Sequence, residues 1–135
     1  MNDGSIVAWG GDYSGGDLGE VSDELDEIYA DDSIVNVVGN RNAFAAISKG
    51  GRVVSWGISA AGFEEVSSSL MSGVVDVVAS DQAFAALKDD GSVVTWGSAV
   101  FGGDSSAVAS ELQQNVVEVV AASSAFAARR RDGSV

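Results

Sequence analysis

Residues 72–97 read SGVVDVVASDQAFAALKDDGSVVTWG, and this stretch decides the fold. It opens with a β-branched run, VVDVV, passes through AFAA, turns at Asp90-Gly91, and closes with a second β-branched run ending in Trp96-Gly97. Asp-Gly between two such runs supplies the positive φ of a tight hairpin turn. The same signals recur on both sides. Trp-Gly stands at Trp9-Gly10, Trp56-Gly57 and Trp96-Gly97, spaced 47 and 40 residues apart. AFAA stands at residues 43–46, 83–86 and 125–128, spaced 40 and 42 apart. A period of forty-odd residues means one supersecondary unit repeated. Counted from the turn dipeptides, the units run 3–49, 50–89 and 90–131, with a fourth starting at 132–135.

Within each unit the order of signals is constant. IVAWG, VVSWG and VVTWG read as strands whose alternation puts Val7 with Trp9, Val54 with Trp56 and Val94 with Trp96 on one face. Ala8, Ser55 and Thr95 fall on the other face. A glycine turn follows six residues after each Trp. Beyond it, apolar residues four apart (Val21/Leu25, Val66/Leu70, Val108/Leu112) predict one or two turns of amphipathic helix. The runs at 34–38, 74–78 and 116–120 are almost continuously apolar, which predicts strands buried on both faces in an interior position. Their middle residues, Asn36, Asp76 and Glu118, are expected at a channel or a sheet edge. Alanine is a poor strand former, so its repeated use in AFAA implies close approach of neighbouring backbones, with Phe44, Phe84 and Phe126 as packing knobs.

Composition narrows the function. The 135 residues are 46% apolar, enough for a folded core, and carry 7 basic against 20 acidic residues, a net charge of −13. Such a surface argues against nucleic acid and against an anionic membrane. Residues 1–49 hold ten acids and two bases, so this segment alone carries −8. With no Cys and no His, the chain has no thiolate nucleophile, no zinc–cysteine site and none of the commonest general bases or metal ligands. No cofactor fingerprint is present. No apolar stretch is long enough for a membrane span and the first residues lack the pattern of a signal peptide, so the reading leans towards the cytoplasm while leaving the compartment open.

Candidate site residues are few. Asp17, Glu64 and Asp104 each lie eight residues after a Trp and read either as an acidic rim for a cation or a basic partner or, more plainly, as solvated turn residues. Arg129, Arg130 and Arg131 are the one basic cluster, either a contact for an acidic partner or an exposed strand end. They could also pair with the acidic segment 23–32 of another copy. The tryptophans fit core packing better than ligand stacking.

The order V-V-x-V-V, A-F-A-A, D-G-S-V-V-T-W-G closely resembles the regulator-of-chromosome-condensation repeat, and the middle unit is similar to the bacterial β-lactamase-inhibitor propellers made of that repeat. The resemblance implies an all-β fold: a partial β-propeller of about three blades, with short helical turns in the connections between strands. It spans essentially the whole chain as a single repeat array, residues 1–135. It implies a non-catalytic scaffold for protein–protein interaction, belonging to a longer array or to a self-associating unit. Two other readings stay open: a targeting or regulatory propeller segment of a larger enzyme such as a ubiquitin ligase, and a proteinaceous enzyme inhibitor. No functional residue of the family is carried over. Because residues 3–10 and 132–135 occupy the same phase of the repeat, head-to-tail assembly of copies is a further expectation.

Overall fold

The computed structural model describes residues 10–11, 33–57 and 60–135. It is an all-β arrangement of three small antiparallel sheets. The first contains β1 (Ile34–Gly39), β2 (Ala43–Ser48) and β3 (Val53–Gly57) in that order. The second contains β4 (Val74–Ala79), β5 (Ala83–Lys88) and β6 (Val93–Gly97). The third contains β7 (Val116–Ala121) and β8 (Phe126–Arg130). The first two sheets therefore straddle a boundary of the repeat as counted from its turn dipeptide, whereas β7 and β8 both lie within residues 90–131. The Asp-Gly or Gly-Gly pair lies inside a meander rather than between meanders.

Registers repeat from sheet to sheet. Phe44 faces Trp56 and Phe84 faces Trp96 across the β2–β3 and β5–β6 pairs. The central strand is the alanine-rich one. This differs from the expectation that VVxVV would be interior: β1, β4 and β7 are edge strands, each with a bulge at its second residue. The bulge sets Ile34 opposite Ser48 but Asn36 opposite Ile47, so Val35 falls out of register; Val75 and Val117 do the same. All three are exposed. A bulge inserts an unpaired residue and turns the strand, so an apolar run need not be buried along its length. Alanine suits the centre because its small side chain lets flanking sheets approach: Ala43, Ala45, Ala46, Ala83, Ala85 and Ala86 are all buried.

The sheets stack through alternate faces of the central strands. Ala43, Ala45, Ile47 and Val53 of the first sheet meet Val77, Phe84, Ala86 and Trp96 of the second. Ala85 and Leu87, on the other face of the second, meet Val116, Val119, Phe126 and Ala128 of the third. Between β3 and β4 the helical turn is present as a short helix, α1 (Phe63–Val66), running into a 3-10 turn at Ser67–Leu70. Phe63 and Leu70 drop from it into the seam. The equivalent stretch before β7, Ser106–Leu112, is 3-10 and kinked at Val108.

Backbone hydrogen bonds lock the stack at two levels. At the hairpin tips, Arg41 N–H donates to Asp81 O and Asp81 N–H to Ser123 O. At the opposite end, Val74 N–H donates to Gly51 O and Val116 N–H to Gly91 O. Gly51 and Gly91 are glycine for two reasons. Their φ values of +83° and +81° disfavour side chains, and an added Cβ would lie 2.6 Å from Val74 N or 2.7 Å from Asn115 N. Gly133, at φ +88°, has the same backbone but nothing within 4 Å of such a Cβ. Gly91→Ala is therefore expected to destabilise the fold by about 1–3 kcal/mol more than Gly133→Ala, the difference being overpacking without the shared backbone strain. Urea denaturation of the two variants measures it.

A candidate binding groove beside the third sheet

The seam between the first two sheets is built around Trp96. Its ring stacks on Phe84 at 5.4 Å and 18°, and meets Phe63 edge-on at 5.8 Å and 63°. Only 1% of Trp96 is exposed, and its indole Nε1–H donates to Ser55 Oγ at 3.0 Å. Ser55 in turn donates to Phe44 O at 2.9 Å. A buried indole N–H needs an acceptor, and a serine on the adjacent sheet supplies it. The small residue opposite the Trp face is thus a polar partner for the next sheet's tryptophan, beyond allowing close packing.

Between the second and third sheets the corresponding space is a groove of about 480 Å³. Thr95 occupies the position of Ser55 and Phe126 that of Phe84; Gly102, Leu112, Ala128 and Arg130 also line it. Phe126 closes over Gly102, where even a Cβ would meet its ring at 2.5 Å. Thr95 Oγ1 lies 2.9 Å from Ser105 Oγ and 3.2 Å from Gly103 O, contacts its single proton can serve while its lone pairs still accept. β8 pairs with β7 on one side, and no strand lies along its other edge among the described residues.

The sequence-predicted site residues are dispersed. Asp17 lies outside the described residues. Glu64 is exposed on the first turn of α1, distant in the chain from the groove-lining Asp104, and the two do not share the groove. Asp104 is a turn residue whose carboxylate accepts from Ser106 N–H at 3.0 Å. The arginine cluster is split by strand alternation. Arg129 points away from the second sheet and pairs with Glu118 at 3.0 Å, in the register position filled by Leu87 in the sheet before. Arg130 turns into the groove, where its Nε is buried without a hydrogen-bond partner. Arg131 is exposed in the turn and gives its N–H to Asn115 O. Neither the groove nor the role of Ser55 and Thr95 was visible from single motifs; the signal available was the hydroxyl preceding Trp56's and Trp96's rings in VVSWG and VVTWG.

Turn carboxylates are the perturbed acids. The Asp90 carboxyl is held below the usual carboxylate range by the hydroxyl of Ser92 (2.5 Å) and then its backbone N–H (2.9 Å). Asp132 is lowered in the same way by Ser134, with a smaller contribution from the positive charge of Arg130. Asp104 is lowered by Ser106. Among the described residues no group of three or more His, Cys, Asp or Glu could hold a metal, and no helix is long and apolar enough to cross a membrane. No protein-family model matches the chain, and none of the curated proteins matches it.

Two outcomes test the site. Ser55→Ala leaves the indole N–H of Trp96 buried without an acceptor and is expected to cost about 1–3 kcal/mol in chemical denaturation. The lowered acids favour the folded turns above the ordinary carboxylate range, and that contribution fades as pH falls through their depressed folded pKa values. NMR titration should accordingly give Asp90 and Asp132 midpoints below the unfolded-chain value, and Ser92→Ala should move Asp90 back towards it.

Proposed function

We propose that this chain is a non-catalytic repeat scaffold for protein–protein interaction, its sheets being blades of a propeller-type array of the kind its sequence resembles. The observation that carries this reading is the recurrence of one meander, twice with three strands and once as its first two, with its packing residues committed inward. Phe84 and Trp96 are spent in the seam, and the Ser55 hydroxyl is engaged with Trp96 and the Phe44 carbonyl. What the array presents outward is variable connections, such as α1 and the turn around Asp104, whose acidic side chains are exposed. A rigid stack with variable loops is suited to protein recognition.

The test is affinity capture with the parent chain and a doubly reversed variant, Glu64→Lys with Asp104→Lys. The reading expects a protein partner retained by the parent and released by the variant, with unchanged far-UV circular dichroism. Robust turnover in a hydrolase and transferase panel, or capture indifferent to the reversals, would contradict it.

A further inference from the structure

We infer that the two seams of the stack are latched by turns of different chemistry, and that the second seam carries an acid-sensitive latch which the first lacks. This is independent of the partner-binding reading and concerns how the stack opens.

Each seam is tied by one hairpin turn of the earlier sheet. At the first seam, residues 48–52 (SKGGR) join β2 to β3, and Gly51 O accepts from Val74 N–H of β4 at 3.1 Å. At the second, residues 88–92 (KDDGS) join β5 to β6, and Gly91 O accepts from Val116 N–H of β7 at 2.9 Å. The two turns share one backbone pattern. Gly51 N–H donates to Ser48 O and Gly91 N–H to Lys88 O, each at 3.0 Å. Their ends are closed by Ser48 N–H to Arg52 O at 2.8 Å and by Lys88 N–H to Ser92 O at 2.9 Å.

What differs is the acceptor for the amide of the fifth residue. In the first turn it is a hydroxyl: Arg52 N–H donates to Ser48 Oγ at 3.0 Å, and Ser48 is only 2% exposed. In the second turn Lys88 stands in the place of Ser48. There the acceptor is the Asp90 carboxylate, which takes both the N–H of Ser92 at 2.9 Å and its hydroxyl. A carboxylate gains a proton in acid, whereas a serine hydroxyl keeps the same form. Protonation of Asp90 takes the charge out of two charge-assisted hydrogen bonds and loosens the turn that presents Gly91 O to Val116.

The surroundings of Asp90 set the direction. The Ser92 bonds, with a smaller contribution from the Lys88 charge, hold its carboxyl below the usual carboxylate range. The latch is therefore closed above that range and opens as pH falls through the depressed value. Asp89 flanks it in the same turn, with its N–H on Gly73 O and its carboxylate lying over Gly73. Asn115, which packs over Gly91 from the segment entering β7, is neutral. The charged residues of the first turn are Lys49 and Arg52, and neither is a carboxylate. Opening the second latch uncovers the core of Ala85, Leu87, Val116 and Val119, while the Trp96 seam stays shut.

Native-state hydrogen exchange of the full chain, followed from about pH 6 to about pH 2 as protection factors, tests this. Protection of the Val116 amide should fall a few-fold below the carboxylate range, while that of Val74 stays level. Asp90→Asn keeps an acceptor without the titrating group, and should hold Val116 level as well. Gly50→Asp combined with Arg52→Ser writes the DGS of the second turn into the first. Gly50 is exposed and lies outside the positive-φ region, so the turn has room for an aspartate. Val74 should then acquire the fall that Val116 shows in the parent. Parallel loss at Val74 and Val116 in the parent overturns the proposal, as does Val116 protection that ignores pH. It is equally overturned if Asp90→Asn retains the fall, or if the grafted turn leaves Val74 level.

Discussion

Everything in this fold depends on burying both faces of three-stranded sheets too small to stand alone. A sheet of three short strands has little core of its own, so stability comes from its neighbours. Trp96 is the clearest expression of that dependence. It belongs to the second sheet and stacks on that sheet's Phe84, yet its ring edge meets Phe63 of α1 and its N–H finds its acceptor, Ser55, on the first sheet. The tip and turn hydrogen bonds then fix the spacing at either end of the seam, leaving the alanine strands in close contact between them. Polar and apolar requirements are met by the same geometry: a sheet that slid along its neighbour would lose the Ser55 acceptor along with the Val74 and Val116 amide bonds.

Much of this was legible in the sequence. The period, the hairpins at Gly50-Gly51 and Asp90-Gly91, and the shared face of Val54 with Trp56 and of Val94 with Trp96 all follow from spacing and alternation, and Gly51 and Gly91 sit in the backbone geometry those turns require. The strand order within a sheet was less legible. VVDVV reads as a buried interior strand by hydrophobicity, whereas a one-residue bulge at Val75 breaks the alternation and puts the strand at an edge. A bulge leaves no compositional mark, because valine suits both the bulged and the regular position. The alanines were the better guide, since only a demand for closeness explains so poor a strand former at the centre.

The candidate site was less legible still, because its residues act between sheets. Ser55 and Thr95 look like ordinary small polar residues within their own strands; their meaning comes from a tryptophan forty-odd residues away. The arginine cluster shows the converse. Three consecutive cations read as one patch, but strand alternation gives Arg129 to Glu118 and Arg130 to the groove. That substitution of a charged pair for Leu87's counterpart makes the outer face of the third sheet more polar than the face that the second sheet presents to it.

The central claim is that the sheets stack through a tryptophan seam. Two-dimensional NMR of the Trp96 indole tests it most directly. The account predicts nuclear Overhauser contacts from this ring to Phe63, Phe84 and the Ser55 side chain, with an indole N–H that exchanges slowly with solvent. An indole N–H exchanging at the free rate, with no contact to Ser55, would contradict it.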